Sequence, residues 1–520
     1  VPRVPKGARN WLTPAAWVAA VSGLLLLVFP LGFPNYDTIY ALVWGRELAH
    51  GHSPDYGAAL PPTPHPLADL LGLVATPIGD GAITVTMILA YVSLALCGYL
   101  VYRLGSLWFD RWIGGVAAAI VLTRAPYLSN GLRAYIDLPF IALCLGALTI
   151  EAKRPRSGWP VLALLAVAGL LRPEAWGFSI AYWLWLAFAV SPTGRIDQSP
   201  RPMGRIDQPR ETYRPVGGGD STYRPVGGRF GWRGERTARE LGGLALLALA
   251  GMILWLLFDG TTTGNFLYSL TGTQETVTTL DRKTGPADLV LYGPRALGEV
   301  LQWPGMVGAF GGVVLGFAFL RRRSALGIAA AVLALAAFAF LAAAGLAIIA
   351  RYTMLLAAIL SIFVAVALLG WRLLEPGHPW RRRWQLFAGI VLLMFVLWLP
   401  NQWDLDSQVN TDLTNQARIE GDLTDLVDAG AFEPLCGKIA VPNHRAVPRL
   451  AFGLEIKPTR IVSASEEGIP RHGYFVKPAS PFVIHNFILD PNDPTRFRLK
   501  TPEGFEEVAR NESWIVYRRC

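Results

Sequence analysis

Charge is scarce in this chain. Asp, Glu, Lys and Arg make up 16% of its 520 residues, against about 25% in an ordinary soluble protein, and 52% of the residues are hydrophobic. That balance excludes a water-soluble globule of the usual kind. Cysteine is rare as well. Of the four, Cys97 and Cys144 fall inside apolar runs and read as packing residues. Cys436 and Cys520 lie in a polar C-terminal region, where an oxidising compartment permits a disulfide between them. The histidines of that region, His444, His472 and His485, lack metal-ligand spacing such as His-x-x-x-His, which argues against an ordered zinc site. No small-residue cleavage site follows the first apolar run, so it reads as a retained anchor.

Long apolar runs are what the chain has in abundance. Spanning the hydrocarbon takes roughly 20 mostly apolar residues. Eleven segments qualify, at 14–33, 82–102, 112–124, 137–150, 158–171, 175–191, 240–258, 305–320, 325–349, 353–371 and 384–400. The expected fold class is therefore a multi-spanning α-helical membrane protein with about 11 transmembrane helices. Short cytoplasmic loops collect Lys and Arg, and alternate connections here do so: Arg3, Lys6 and Arg9; Arg103 and Arg111; Lys153, Arg154 and Arg156; Arg321 to Arg323; Arg372 and Arg381 to Arg383. This pattern places the N-terminus in the cytosol of a plasma (inner) membrane protein. Everything after Pro400 then lies outside, with the loops at 34–81, 125–136, 172–174, 259–303 and 350–352. The net charge of +9 follows from that topology and does not indicate nucleic-acid binding.

Residues 192–238 differ from the rest. They repeat Gly-Arg-Ile-Asp-Gln, from Gly194 and Gly204, and Tyr-Arg-Pro-Val-Gly-Gly, from Tyr213 and Tyr223. Such a segment buries no core and reads as a disordered cytosolic loop whose arginines suit anionic lipid head groups. Residues 401–520 change character again, towards a small extracytoplasmic α/β domain. Its expected strands are Lys438-Ile-Ala-Val, Arg460-Ile-Val-Ser, Phe482-Val-Ile-His and Trp514-Ile-Val-Tyr, with an amphipathic helix over Thr411 to Ala429. Two parts are thus expected, 1–400 and 401–520.

The external loops carry the chemistry. In the first, Ile39, Leu42, Val43 and Leu48 form one apolar face of a short helix lying along the interface, with its polar face toward water. Asp37 falls at or before the N-terminus of that helix. Spacing alone leaves two roles open, a helix cap or a catalytic carboxylate.

These features resemble the GT-C superfamily of polyprenyl-phosphate-sugar-dependent glycosyltransferases, in particular bacterial relatives of protein O-mannosyltransferases and aminoarabinose transferases. The first external loop matches with Asp37, the run to Gly51 and His65-Pro-Leu67. Asp137-Leu-Pro-Phe matches a second acidic position, Arg351-Tyr352 a recurrent pair, and Leu171-Arg-Pro-Glu174 a motif common in such enzymes. The likeness covers roughly residues 10–400. It departs where aminoarabinose-type members carry a Lys before Pro-Pro and this chain has Pro64. No second acid adjoins Asp37, which argues against a metal-dependent donor site of the oligosaccharyltransferase kind, so no cofactor is expected.

The resemblance implies transfer of a sugar from a polyprenyl-phosphate donor to an envelope glycan, lipid or protein, with inversion. Mannose and arabinofuranose are both compatible, and the Ala-, Gly-, Arg- and Trp-rich usage points to a high-GC, actinobacterial type of envelope. Such chemistry needs a base for the acceptor hydroxyl and cations for the leaving phosphate. Asp37 is the expected base, and Arg351 the phosphate clamp, since a guanidinium binds two phosphate oxygens at once. Tyr352, Arg172 and His65 are expected on the donor side, with His65 as a substitute cation. Asp137, Glu174 and Asn265 are expected to bind or orient the acceptor, Asp137 alternatively holding Arg133 one turn away. Arg172 and Glu174 have a structural reading too, as a pair across a turn, and Asn265 one as part of an ordinary turn-rich loop. A lipid-linked-sugar transporter would need paired repeats and midplane charges; a non-catalytic scaffold of the same fold is the other rival.

Overall fold

A computed structural model of the chain describes residues 9–29, 32–188, 237–487 and 500–520. The repeat-bearing loop at 192–238, except its last two residues, lies outside them, as do Arg3 and Lys6. The chain opens with α1 (Arg9–Val28), α2 (Tyr36–Ala49), α3 (Pro66–Ala75), α4 (Gly81–Trp108), α5 (Arg111–Leu122) and α6 (Ala125–Leu132). It continues with α7 (Asp137–Lys153), α8 (Trp159–Ala168), α9 (Glu174–Phe188), α10 (Ala238–Thr263), α11 (Tyr268–Thr279) and α12 (Gly285–Phe319). Then come α13 (Arg321–Ala343), α14 (Met354–Leu369), α15 (Pro379–Asp428), α16 (Val447–Gly453) and α17 (Pro481–Phe487).

The eleven apolar segments centre on α1, α4, α5, α7–α10 and α12–α15. By length and composition, six described helical stretches can cross a membrane: α4, α10, α12, α13, Ala350–Leu373 and α15. Counting α5 and α6, which meet at 61°, as one broken span makes seven. The chain is thus a multi-pass membrane protein by helix composition. Its centre is α14, buried along nearly its whole length and pressed against α12, where a Cβ on Gly312 would run into the Phe363 backbone.

The expected loop at 259–303 is mostly helical. Thr261, Thr262 and Thr263 turn their hydroxyls back onto carbonyls four residues earlier, Leu257, Phe258 and Asp259, at 2.7–2.8 Å. This satisfies the side chains locally and extends α10. A break follows at Gln302, whose backbone (φ 61°, ψ 166°) divides α12 into two helices just before Pro304.

In the C-terminal region, β1 (Lys438–Val441), β2 (Ile461–Ser463), β3 (Gly473–Pro478), β4 (Glu506–Arg510) and β5 (Trp514–Arg519) form one sheet in the order β2-β1-β3-β5-β4. The first three are mutually parallel, and β5 runs antiparallel to β3 and β4. Three expected strands are present, but Phe482-Val-Ile-His is helix α17, opened by Pro481, a residue suited to a helical first turn. Cys436 and Cys520 are joined by a disulfide. The expected helix over Thr411 to Ala429 is the far end of α15, which runs on through residue 400 although Pro400 lies inside it.

The first external helix, α2, is buried from Thr38 to Gly45 and again at Glu47, so it does not lie half in water. One side faces α3, where Gly45 and Gly72 let the two backbones touch. On another side, Ile39, Tyr40, Val43 and Trp44 join the core of the C-terminal domain with Ile419, Leu423, Leu450 and Trp514. Each such burial is worth roughly 1.5–3 kcal/mol. Arg46 secures the contact by donating to the carbonyls of Ala451 and Phe452 at 2.8 and 2.9 Å, in the last turn of α16. A sequence pattern cannot disclose this burial, because the covering surface comes from residues four hundred positions later.

Candidate active site

The cap of α2 is Asn35. Its side-chain oxygen accepts from Asp37 N at 2.8 Å and Thr38 N at 3.3 Å, and its amide group donates to Thr38 Oγ1 and to the Arg133 carbonyl. Thr38 Oγ1 donates in turn to the Ala134 carbonyl at 2.8 Å. These bonds stitch the start of α2 to the turn after α6. Asp37 is therefore released from capping and stands in the first helical turn, where the helix dipole favours a negative charge. Its Oδ2 lies 3.3 Å from Arg351 Nη1, and the two side chains keep 21% and 27% of their surface accessible.

Beside this open pair is a closed one. Arg172 bonds Asp137 and also Glu174, the latter at 2.7 Å from Nη2 and 3.0 Å from Nε. The three side chains are 7%, 1% and 6% exposed. Asp137 therefore does not hold Arg133, whose guanidinium donates to Ser129 and to Gln416. Tyr352 connects the two groups: the Arg172 guanidinium lies 4.3 Å from its ring centroid and that of Arg351 5.6 Å, with Tyr135 a further 5.5 Å contact of Arg351. Such cation–π contacts hold guanidinium planes in place.

His65 stands just before α3, partly buried and edge-on to Trp255. Burial, together with the nearby charges of Arg172 and Arg351, holds its imidazole down at about 3. It is an uncharged ring at neutral pH, so the role of substitute cation does not fit its surroundings. Asn265 is exposed in the turn between α10 and α11, where its side-chain oxygen accepts from Leu267 N at 3.0 Å. The structure brings it to none of the charged groups above.

Several residues of the site escaped the sequence reading. Asn35 carried a legible signal, since an Asn two residues before the first acid of a helix is a favoured cap. Tyr135 carried none. Asp69 in α3 is fully buried with neither oxygen hydrogen-bonded, and burial followed by nearby Asp259 raises its carboxyl well above the usual range. Among the described residues, no three His, Cys, Asp or Glu side chains converge so as to hold a metal ion.

Comparison with known structures bears on this architecture. ArnT from Cupriavidus metallidurans, solved bound to undecaprenyl phosphate, superposes with a TM-score of 0.51 over 98% of both chains at 14% identity. The chain has the fold of that protein. The apo state of the same ArnT gives a TM-score of 0.50 over 98% of both chains at 13% identity. The apo oligosaccharyltransferase of Archaeoglobus fulgidus gives 0.47, over 91% of this chain and 70% of that one, at 12% identity. No protein-family model matches the sequence, and no curated protein does.

Proposed function

We propose that this chain is an inverting glycosyltransferase that moves a sugar, such as mannose or arabinofuranose, from a polyprenyl-phosphate carrier to a cell-envelope acceptor on the outer face of the membrane. The observation that carries the reading is the accessible Asp37–Arg351 pair, its carboxylate relieved of capping by Asn35. Without donor, Arg351 is neutralised by Asp37. A donor phosphate offers the guanidinium two oxygens in a fork-like match, stronger than a single carboxylate contact. Asp37 is then free beside the anomeric carbon. The acceptor hydroxyl passes its proton to Asp37 as its oxygen attacks that carbon; the bond from carbon to phosphate oxygen breaks, and polyprenyl phosphate leaves with the bonding pair. Arg351 stabilises the charge that develops there. A single displacement inverts the centre.

Arg172, held between two buried acids, braces Tyr352 and through it Arg351. Asp137 and Glu174 then serve the donor wall, away from the acceptor. In this reading all eleven apolar helices cross the membrane, with the N-terminus cytosolic and a 1–400 catalytic part followed outside by 401–520. The convergence of residues from four separate loops, all assigned to the outer side by the basic-residue pattern, supports that orientation. Transfer of radiolabelled sugar from a polyprenyl-phospho-sugar by the purified chain tests the proposal, and no transfer to any envelope fraction would refute it.

A further inference from the structure

A cavity of about 500 Å³ opens between the outer end of the helical part and the C-terminal domain. One wall is α6 and the turn after it, with Ser129, Asn130, Arg133 and Tyr135; the opposite wall is Asp412 and Gln416 of α15 with His485 and Asn486 of α17. Cavities of this size, roughly 300–1,000 Å³, hold small ligands, but those for apolar ligands are lined mainly by hydrophobic side chains. Here every lining residue carries a hydrogen-bonding group.

The cavity is built from both sides. Arg133 is buried, and its Nε donates to Gln416 across the gap at 3.1 Å while Ser129 takes a second bond. Both hydrogen-bond partners are neutral, and the carboxylate that faces this guanidinium is Asp412 of the opposite wall. Asn415 of α15 donates to Asn486 at 2.9 Å, fixing α17 against α15. Amides, two hydroxyls, an imidazole, a carboxylate and a guanidinium thus present donors and acceptors from both walls, as a polyhydroxylated ligand requires. An acyl chain or a peptide anchor side chain would find little apolar surface to bury.

The cavity also adjoins the reacting groups. Tyr135 lines it and lies under Arg351, the partner of Asp37. Arg133 lines it and offers its carbonyl to Asn35, the cap that sets Asp37. We propose that this cavity is the acceptor subsite and that the group it binds is a carbohydrate. The word acceptor rests on the transfer reading above; carbohydrate binding does not.

The test is direct binding of soluble tri- and tetrasaccharide methyl glycosides, pyranose and furanose, to the full chain in lipid nanodiscs by saturation-transfer NMR. Asp412 is exposed and Asn130 partly so, so the Asn130→Ala/Asp412→Ala double variant keeps the fold, checked by an unchanged melting temperature. Expected is binding to the wild type and to Asp37→Asn, weakened about tenfold or more in the double variant. In a transfer assay the same variant shows a raised acceptor KM with unchanged donor KM. Binding that the double variant leaves intact, or no saccharide binding alongside binding of a peptide or an acylated acceptor, overturns the proposal. Saccharide binding lost in the double variant but accompanied by no transfer in the wild type supports the subsite and refutes the transferase reading alone.

Discussion

Arg172 and Arg351 lie against the same tyrosine ring yet occupy opposite kinds of surroundings. Arg172 is sealed between two carboxylates with almost no surface left to solvent, whereas Arg351 meets one carboxylate at 3.3 Å with a quarter of its side chain accessible. A buried ion pair gains little net stability but is costly to break, because the surviving charge stays in a medium that cannot solvate it. A part-exposed pair is weak and exchangeable. The same residue type therefore serves as a fixed brace in one place and as a replaceable contact in the other.

Removing the brace has the largest expected effect. Arg172→Ala leaves Asp137 and Glu174 buried without a counter-charge and lowers stability by about 3–5 kcal/mol, read as a drop in thermal unfolding temperature. Wild-type stability in that variant would erase the distinction between the two arginines. Next is Arg351→Ala, which weakens polyprenyl-phosphate affinity about 10- to 100-fold through loss of charge-assisted hydrogen bonds and changes stability by less than about 1 kcal/mol. Equilibrium binding to nanodisc-embedded protein checks it.

Asn35→Ala sharpens the open side of the comparison. Losing the cap costs about 1–2 kcal/mol, and the turnover rate falls while donor affinity holds, because Asp37 is no longer set against Arg351. A silent substitution would return the capping role to Asp37. Near neutral pH the smallest effect concerns His65, the neutral neighbour of both arginines. Its folded-state pKa, about 3, lies below the unfolded value of about 6.5, so the unfolded chain takes up a proton first as pH falls. Stability declines from about pH 6.5 and levels off near pH 3, by about 0.7 kcal/mol between pH 7 and pH 6. His65→Gln removes that share of the slope in melting temperature against pH.

The membership of the site was largely legible. Asp37, Arg172, Glu174 and Arg351 fall in loops that a simple count of basic residues assigns to one side, Asp137 opens the helix that follows another such loop, and the structure sets Asp37 against Arg351 and both Asp137 and Glu174 against Arg172. One pairing, Arg172 with Glu174 across their turn, was legible; the others were not, because they depend on distances set by helices that meet only in the folded chain. Asp137 takes Arg172, 35 residues on, in place of Arg133 one turn away. Short apolar runs also misled: Phe482-Val-Ile-His has strand composition but follows a proline and forms a helix. Gly473 to Pro478, with Tyr, Phe and Val in succession, carried a strand signal that went unread. The interfacial reading of α2 failed for a different reason, since its second covering layer is the C-terminal domain.

The central claim is that Asp37 is held by Arg351 only until a phosphate takes its place, and then acts as the base. It is tested most directly by measuring, for wild type and Asp37→Asn in parallel, both sugar transfer from a radiolabelled polyprenyl-phospho-sugar and equilibrium affinity for polyprenyl phosphate. The account predicts that transfer falls by about 10²- to 10⁴-fold while affinity is unchanged or higher, the competing carboxylate having been removed. Transfer at the wild-type rate in Asp37→Asn would contradict it.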